Sequence, residues 1–260
     1  MTDRRLPVDW VARLRADIGN FPAVSSPPPD FARARALAEV MSVLYLEYLR
    51  YRPENPAWAG RDRLIFADRP AWPVYRALLY RLGVSPATVG GQVPEESTDT
   101  RLEPWPDMNL DPGVDFSCES AGAALAAGVG MAIGLRSVGR LPAGNGAPGP
   151  GVFVLLGLSE LTCGRMWMAA NHAGEQRLAR LCVIVHHFLP ARRPDGERPG
   201  AREQIQSAKF LEDRFRSFGW ESVGVDGSRL DEIRYALDKF KKISPRPYVI
   251  IARTQGAGDV

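Results

Sequence analysis

Residues 152–190 read VFVLLGLSELTCGRMWMAANHAGEQRLARLCVIVHHFLP. The opening run, Val152 to Leu156, is wholly apolar and halts at Gly157, the pattern of a strand buried on both faces. Trp167, Ala170 and Leu178 follow in a segment of helical period, and Leu181 to Val185 is a second apolar run. Strand, helix, strand over this length predicts a βαβ crossover, the connection that parallel neighbours require. Parallel sheets collect ligand sites at the carboxyl ends of their strands. Here those ends carry Gly157-Leu158-Ser159-Glu160 after the first strand and His186-His187-Phe188 after the second.

Outward from this unit the same alternation continues. Towards the carboxyl terminus the spacing predicts a helix over 209–218, a strand over 220–225, a helix over 230–242 and a strand over 247–254. Residues 192–200, with Arg192-Arg193-Pro194-Asp195-Gly196, read as a polar loop. Towards the amino terminus a glycine- and proline-rich loop covers 139–151, preceded by a helix over 123–137 made of small and apolar residues. A polar, proline-rich connection over 83–111 separates it from a helix over 74–82 and a short buried strand ending at Phe66. A strong amphipathic helix is predicted over 31–51, its apolar face carrying Leu37, Val40, Met41, Leu44, Tyr45 and Tyr48. Before it lie a short helix over 8–18 and a three-proline loop. The expected organisation is an amino-terminal helix and loop over 1–30 followed by one α/β domain over 31–260.

The totals fit a globule with ample core: 260 residues, 45% hydrophobic and 24% charged. A net charge of +3 without a basic cluster gives no footprint for nucleic acid. The three cysteines, Cys118, Cys163 and Cys182, form neither a disulfide framework nor a zinc pattern, and a cytoplasmic setting is expected. The most apolar run, residues 121–135, is too short to span a bilayer. His172, His186 and His187 are the whole histidine complement. Adjacent strand residues point to opposite faces, so His186 and His187 are not expected to share one ion. Cys163 and Cys182 have no base beside them in the sequence and read as core residues.

Several runs together resemble the thiamine-diphosphate-binding part of the transketolase family. Gly157-Leu158-Ser159-Glu160-Leu161 stands in the frame of the family's G-D-G-E-L, and His186-His187-Phe188 in that of its D-x-N. Pro53-Glu54-Asn55-Pro56-Ala57-Trp58 with Arg61-Asp62-Arg63 resembles P-x-N-P-x-W-x-x-R-D-R. Pro112-Gly113-Val114-Asp115-Phe116-Ser117-Cys118-Glu119-Ser120-Ala121-Gly122 resembles P-G-V-E-x-S-T-G-S-L-G. Phe218-Gly219-Trp220 to Asp226-Gly227 resembles F-G-W-x-V-x-x-V-D-G. The likeness runs from about Phe31 to the end, in order and spacing. It implies a three-layer α/β/α fold with a mostly parallel sheet.

The resemblance also implies thiamine diphosphate and magnesium as cofactors, and it locates where this chain departs from them. The family's metal-binding aspartate and asparagine fall on Leu158 and Phe188, which offer no side-chain oxygen to an ion that favours six. The histidine of the family's G-H-A-x-P falls on Pro70, and a further one on Ser228. No catalytic residue is therefore assigned. Gly157, Glu160, Ser120 and Gly122 would make up the residual cofactor pocket. Glu119 replaces a family glycine in the diphosphate turn. Directed inward, it would repel a diphosphate at ~4 Å by roughly 4 kcal/mol in an intermediate dielectric; directed outward, it would complement the helix dipole. Glu160 is the family acid that links paired active sites across the subunit interface, while the next two acids of that network fall on Cys163 and Met168.

The matched region corresponds to the family's first domain. This implies a separate chain carrying the pyrimidine-binding domain, in a homo- or hetero-oligomer that transfers a two-carbon ketol unit. The alternative is a catalytically inactive pseudo-subunit that scaffolds or regulates a partner enzyme. A weaker alternative is a pocket repurposed for another small molecule.

Overall fold

The computed structural model describes residues 6–19, 30–52, 54–55, 57–83, 114–116, 122–138, 149–189, 207–242 and 245–256. Within them a five-stranded, wholly parallel sheet forms the middle layer. Its strands are β1 (Arg63–Ala67), β2 (Val152–Gly157), β3 (Leu181–Leu189), β4 (Glu221–Asp226) and β5 (Tyr248–Gln255), in spatial order β1-β2-β3-β5-β4.

Alternation along each strand builds two cores. On one face Leu64, Phe66, Phe153, Leu155, Cys182, Ile184, Tyr248 and Ile250 meet α1 (Trp10–Ile18), α2 (Phe31–Ala36), α3 (Ala38–Val43), α4 (Trp72–Arg81) and α8 (Leu230–Lys241). On the other, Ile65, Val152, Val154, Leu181, Val183, Val249 and Ile251 meet α5 (Ala123–Ser137), α6 (Gly164–Glu175) and α7 (Ala208–Ser217). The chain moves one way across the sheet from β1 to β4 and then steps back to β5. The connection that steps back, α8, lies on the opposite face from α6 and α7, as right-handed crossovers require. The three-layer α/β/α architecture expected from the sequence is thus present.

Two elements differ from the sequence-based expectation. The single helix over 31–51 is broken at Leu37 and ends in a π-helical turn over Leu44–Tyr48, where the Leu49 N–H reaches the Leu44 carbonyl at 2.7 Å. That wider turn presents Tyr48 and Glu47 to α8. The Tyr48 hydroxyl sits 2.7 Å from Asp238 Oδ1, and Arg234 donates to both Glu47 oxygens at 2.7 Å. The apolar period runs straight through the break, so periodicity alone does not reveal it. The chain then leaves the helix, with Arg50 N–H donating to Asp62 Oδ2 at 2.9 Å.

The second difference is the length of β3, which continues through His186, His187 and Phe188 to Leu189. Its pairing with β2 stops at Gly157↔His186, but β5 accompanies it to Leu189↔Gln255. One continuing neighbour is enough to hold the backbone extended. The three residues expected beyond the strand therefore have their faces fixed by its pleat.

The amino-terminal helix belongs to the same core: Leu14 and Ile18 are buried with α3 and α4, and Arg81 of α4 reaches Asp17 and the Arg13 carbonyl. None of the described helices is long and apolar enough to cross a membrane.

Candidate functional site

At the carboxyl ends of β1, β2, β3 and β5 the pleat brings Asp68, Gly157, His186 and Thr254 to one face of the sheet. Asp68 follows the last residue of β1, and its parity with Leu64 and Phe66 turns it to the α2–α4 side. His186 has the parity of Cys182 and Ile184, and Thr254 that of Ile250. Asp68 and His186 flank Gly157 from either side. A Cβ on Gly157 would lie 2.6 Å from Asp68 Oδ1. Glycine is thus what allows the two side chains to meet across the intervening strand.

The resulting network is closed. His186 Nδ1 is hydrogen-bonded to Asp68 Oδ2, and His186 Nε2 lies 2.8 Å from the Thr254 hydroxyl oxygen. Both ring nitrogens thus have a hydrogen-bonding partner. Arg33 of α2 supplies the counter-charge, with Nη1 3.2 Å from Asp68 Oδ1. His186 and Asp68 are wholly excluded from solvent and Thr254 is 3% exposed.

Local sequence explains why Arg33 arrives there. Asp30 caps α2, accepting from the Arg33 N–H at 2.9 Å, while the Asp30 N–H donates to the Pro70 carbonyl at 2.9 Å. Pro70 sits in the 3-10 turn Arg69–Ala71 that follows Asp68. The position at which the resemblance expects a histidine thus serves as a backbone anchor for α2. Phe188 closes the same face: its ring centroid is 5.8 Å from that of His186, and the Arg33 guanidinium lies 5.2 Å above it. Leu158 turns the other way and packs, partly buried, on the α5–α7 core.

Of the residues expected to form a residual pocket, Gly122 and Glu160 are brought together. Gly122 precedes α5 in the left-handed region (φ +79°), and its N–H donates to Glu160 Oε2 at 2.6 Å. A side chain at 122 would meet the strained backbone and also Cys163 Sγ, 2.7 Å from an added Cβ. Burial pushes the Glu160 carboxyl above its ordinary range; the Gly122 N–H draws it back, and the negative charge of Asp68 adds to the rise. Gly157 adjoins this pair through Asp68. Ser120, Cys118 and Glu119 lie outside the described residues, as do 190–206 and the end of the chain after 256.

The remaining sequence candidates divide between core and surface. Cys182 is buried, and burial raises its thiol strongly. Cys163 precedes α6 and is half-buried, its thiol held below the ordinary range chiefly by the Arg165 N–H. Met168, where the family has an acid, is 73% exposed on α6. His172 is on the surface, 3.8 Å from Glu175. His187 points to the opposite face from His186 and is buried. Ser228 closes a turn on Asp226, with its N–H and hydroxyl donating to one carboxylate oxygen at 2.9 and 2.6 Å.

Arg33, Asp68 and Thr254 were not among the residues singled out in the sequence. The one local signal was Asp68, an acid placed directly after an apolar strand. Its partners depend on β5 lying beside β3, which strand order along the chain does not reveal.

Among the described residues the side chains do not suit a magnesium–diphosphate. Leu158 and Phe188 carry no side-chain oxygen, Phe188 is held between His186 and Arg33, and the Asp68 carboxylate is already paired. Among the described residues no three His, Cys, Asp or Glu side chains converge as a metal-binding group.

The family model described as transketolase, thiamine diphosphate binding domain, matches residues 28–259. The 6-deoxy-6-sulfo-D-fructose transketolase subunit SqwG of Clostridium sp. (strain MSTE9) is 28% identical over 84% of this chain and 74% of its own length. A putative uncharacterized transketolase family protein, y4mO, of Sinorhizobium fredii is 29% identical over 88% of this chain and 77% of its own length. Among solved structures, transketolase from Campylobacter jejuni superposes with a TM-score of 0.70 at 23% identity, covering 98% of this chain and 38% of that one. The chain thus spans most of two relatives but little more than a third of that transketolase.

Proposed function

Because this chain belongs to the transketolase family through its thiamine diphosphate-binding domain, we propose that it is the amino-terminal subunit of a two-chain transketolase-like assembly with an impaired magnesium–diphosphate site of its own. A second chain of the transketolase C-terminal type would bring the pyrimidine-binding domain. The complete assembly would transfer a two-carbon ketol unit from a ketose to an aldehyde or related acceptor, with thiamine diphosphate and magnesium as the family's cofactors. The likeness to SqwG, whose name describes a transketolase subunit, supports the division into chains. The observation that carries the impaired site is the pair Leu158 and Phe188. They stand at the ends of β2 and β3, registered by Gly157↔His186, where the resemblance requires oxygen donors.

The outer faces of α5 and α6 support a partner. Ala126, Gly130 and Gly134 recur every four residues on the exposed side of α5, Val138 is exposed just after it, and Met168 is exposed on α6. Glu160, buried between these helices and Gly122, is the residue we place at the subunit junction. We further take 31–260 as one domain, with the helix and loop of 1–30 before it and that helix packed on the same core, working in the cytoplasm. The second reading, a pseudo-subunit that scaffolds or regulates an active partner, is favoured by one feature, the closed Arg33–Asp68–His186–Thr254 network.

Co-expression with a pyrimidine-domain chain of the family from the same source tests the assembly. Light scattering should show a stable complex, and ketol transfer should require both chains. A partner fully active alone, in a complex whose activity is only modulated by this chain, would select the pseudo-subunit reading. A chain that stays unassociated at micromolar concentration would remove both.

A further inference from the structure

We propose that Arg33, Asp68, His186 and Thr254 are a built-in occupant of the strand ends, an intrachain ionic network that orders this part of the sheet without metal or diphosphate. The inference rests on the reading that the chain's own magnesium–diphosphate site is impaired, and it says what has taken over there.

Four strands of a parallel sheet end here, and nothing in the ladder itself ties the last residues of β1 to those of β3. Every link is supplied by a side chain. Asp68 reaches from the end of β1 over Gly157 to His186 on β3, and His186 reaches Thr254 on β5 at 2.8 Å. Arg33 joins α2 to Asp68 at 3.2 Å and covers the Phe188 ring at 5.2 Å. Phe188 is thereby fixed at the position the resemblance gives to a metal donor. The buried Asp68 carboxylate faces the Arg33 guanidinium at 3.2 Å. Both ring nitrogens of His186 are used, so no buried polar atom of the imidazole is left for a ligand. Gly157 makes room for the carboxylate, since an added Cβ would lie 2.6 Å from Asp68 Oδ1.

Hydrogen exchange read by mass spectrometry on the full chain tests this, following the amides of residues 66–68, 186–189 and 253–256. The inference expects them to be protected without ligand and unmoved by added magnesium and thiamine diphosphate. Thr254→Val, which removes the hydroxyl at nearly constant volume, should speed their exchange by about tenfold or more while the amino-terminal halves of the strands stay as they were. Gly157→Ala should do the same through Asp68, as a second variant that removes no polar group. Exchange unchanged in both variants would overturn the inference and leave the impaired site standing. Amides that become protected only when magnesium and thiamine diphosphate are added would overturn both.

Discussion

Replacing Asp68 by alanine is expected to lower the unfolding free energy by about 3–5 kcal/mol, the usual result of removing one member of a buried charged pair. The carboxylate is fully buried and serves two partners, Arg33 and His186. Its loss leaves His186 Nδ1 without its partner and deprives Arg33 of its buried counter-charge. It also opens a void beside Gly157, which has no side chain to fill it. Arg33 keeps its longer pairing with Asp30 at 3.5 Å and its place over the Phe188 ring. Urea denaturation followed by far-ultraviolet circular dichroism measures the change. A loss under about 1 kcal/mol would mean that water or a neighbouring side chain takes over both contacts.

The second large effect is expected at Gly174, in the last turn of α6. A Cβ there would lie 1.7 Å from the Phe218 carbonyl oxygen and 2.9 Å from its carbon. Those atoms are backbone, and they cannot swing aside. The turn Phe218-Gly219-Trp220 is locked to α6 by the Trp220 indole, whose N–H donates to the Ala170 carbonyl at 2.7 Å, and by Gly219 at φ +83°. Gly174→Ala must therefore separate α6 from the start of β4. We expect a loss of about 3 kcal/mol or more, read as a fall in melting temperature of about 10 °C for a chain of this size. Gly134→Ala supplies the contrast. It lies in α5 with nothing within 4 Å of the added carbon, and the better helix propensity of alanine should stabilise by up to about 1 kcal/mol.

These two sites show what could be read from the sequence and what could not. Phe218-Gly219-Trp220 was legible through its likeness to the family's F-G-W, and the structure gives it a local cause: a left-handed glycine between two aromatic residues of one core. The strands β2 and β5 and the helix over 123–137 were legible because apolar runs and their punctuation carry the signal directly. The family resemblance drew attention to Gly157 and Glu160 after β2 and to Gly122 before α5. The network was not legible, because Asp68, His186 and Thr254 are separated by 118 and 68 residues. What unites them is their parity on strands that become neighbours only in the sheet order β1-β2-β3-β5. The broken helix over 31–51 escaped for the converse reason: its apolar spacing is continuous, and the π-helical turn answers to contacts with α8.

The claim at the centre is that the transketolase scaffold here lacks the oxygen donors for a magnesium–diphosphate. Titration calorimetry of the isolated chain with thiamine diphosphate, with and without magnesium, addresses it most directly. The account predicts no magnesium-dependent heat at micromolar cofactor. Saturable binding in the micromolar range that disappears when magnesium is chelated would contradict it.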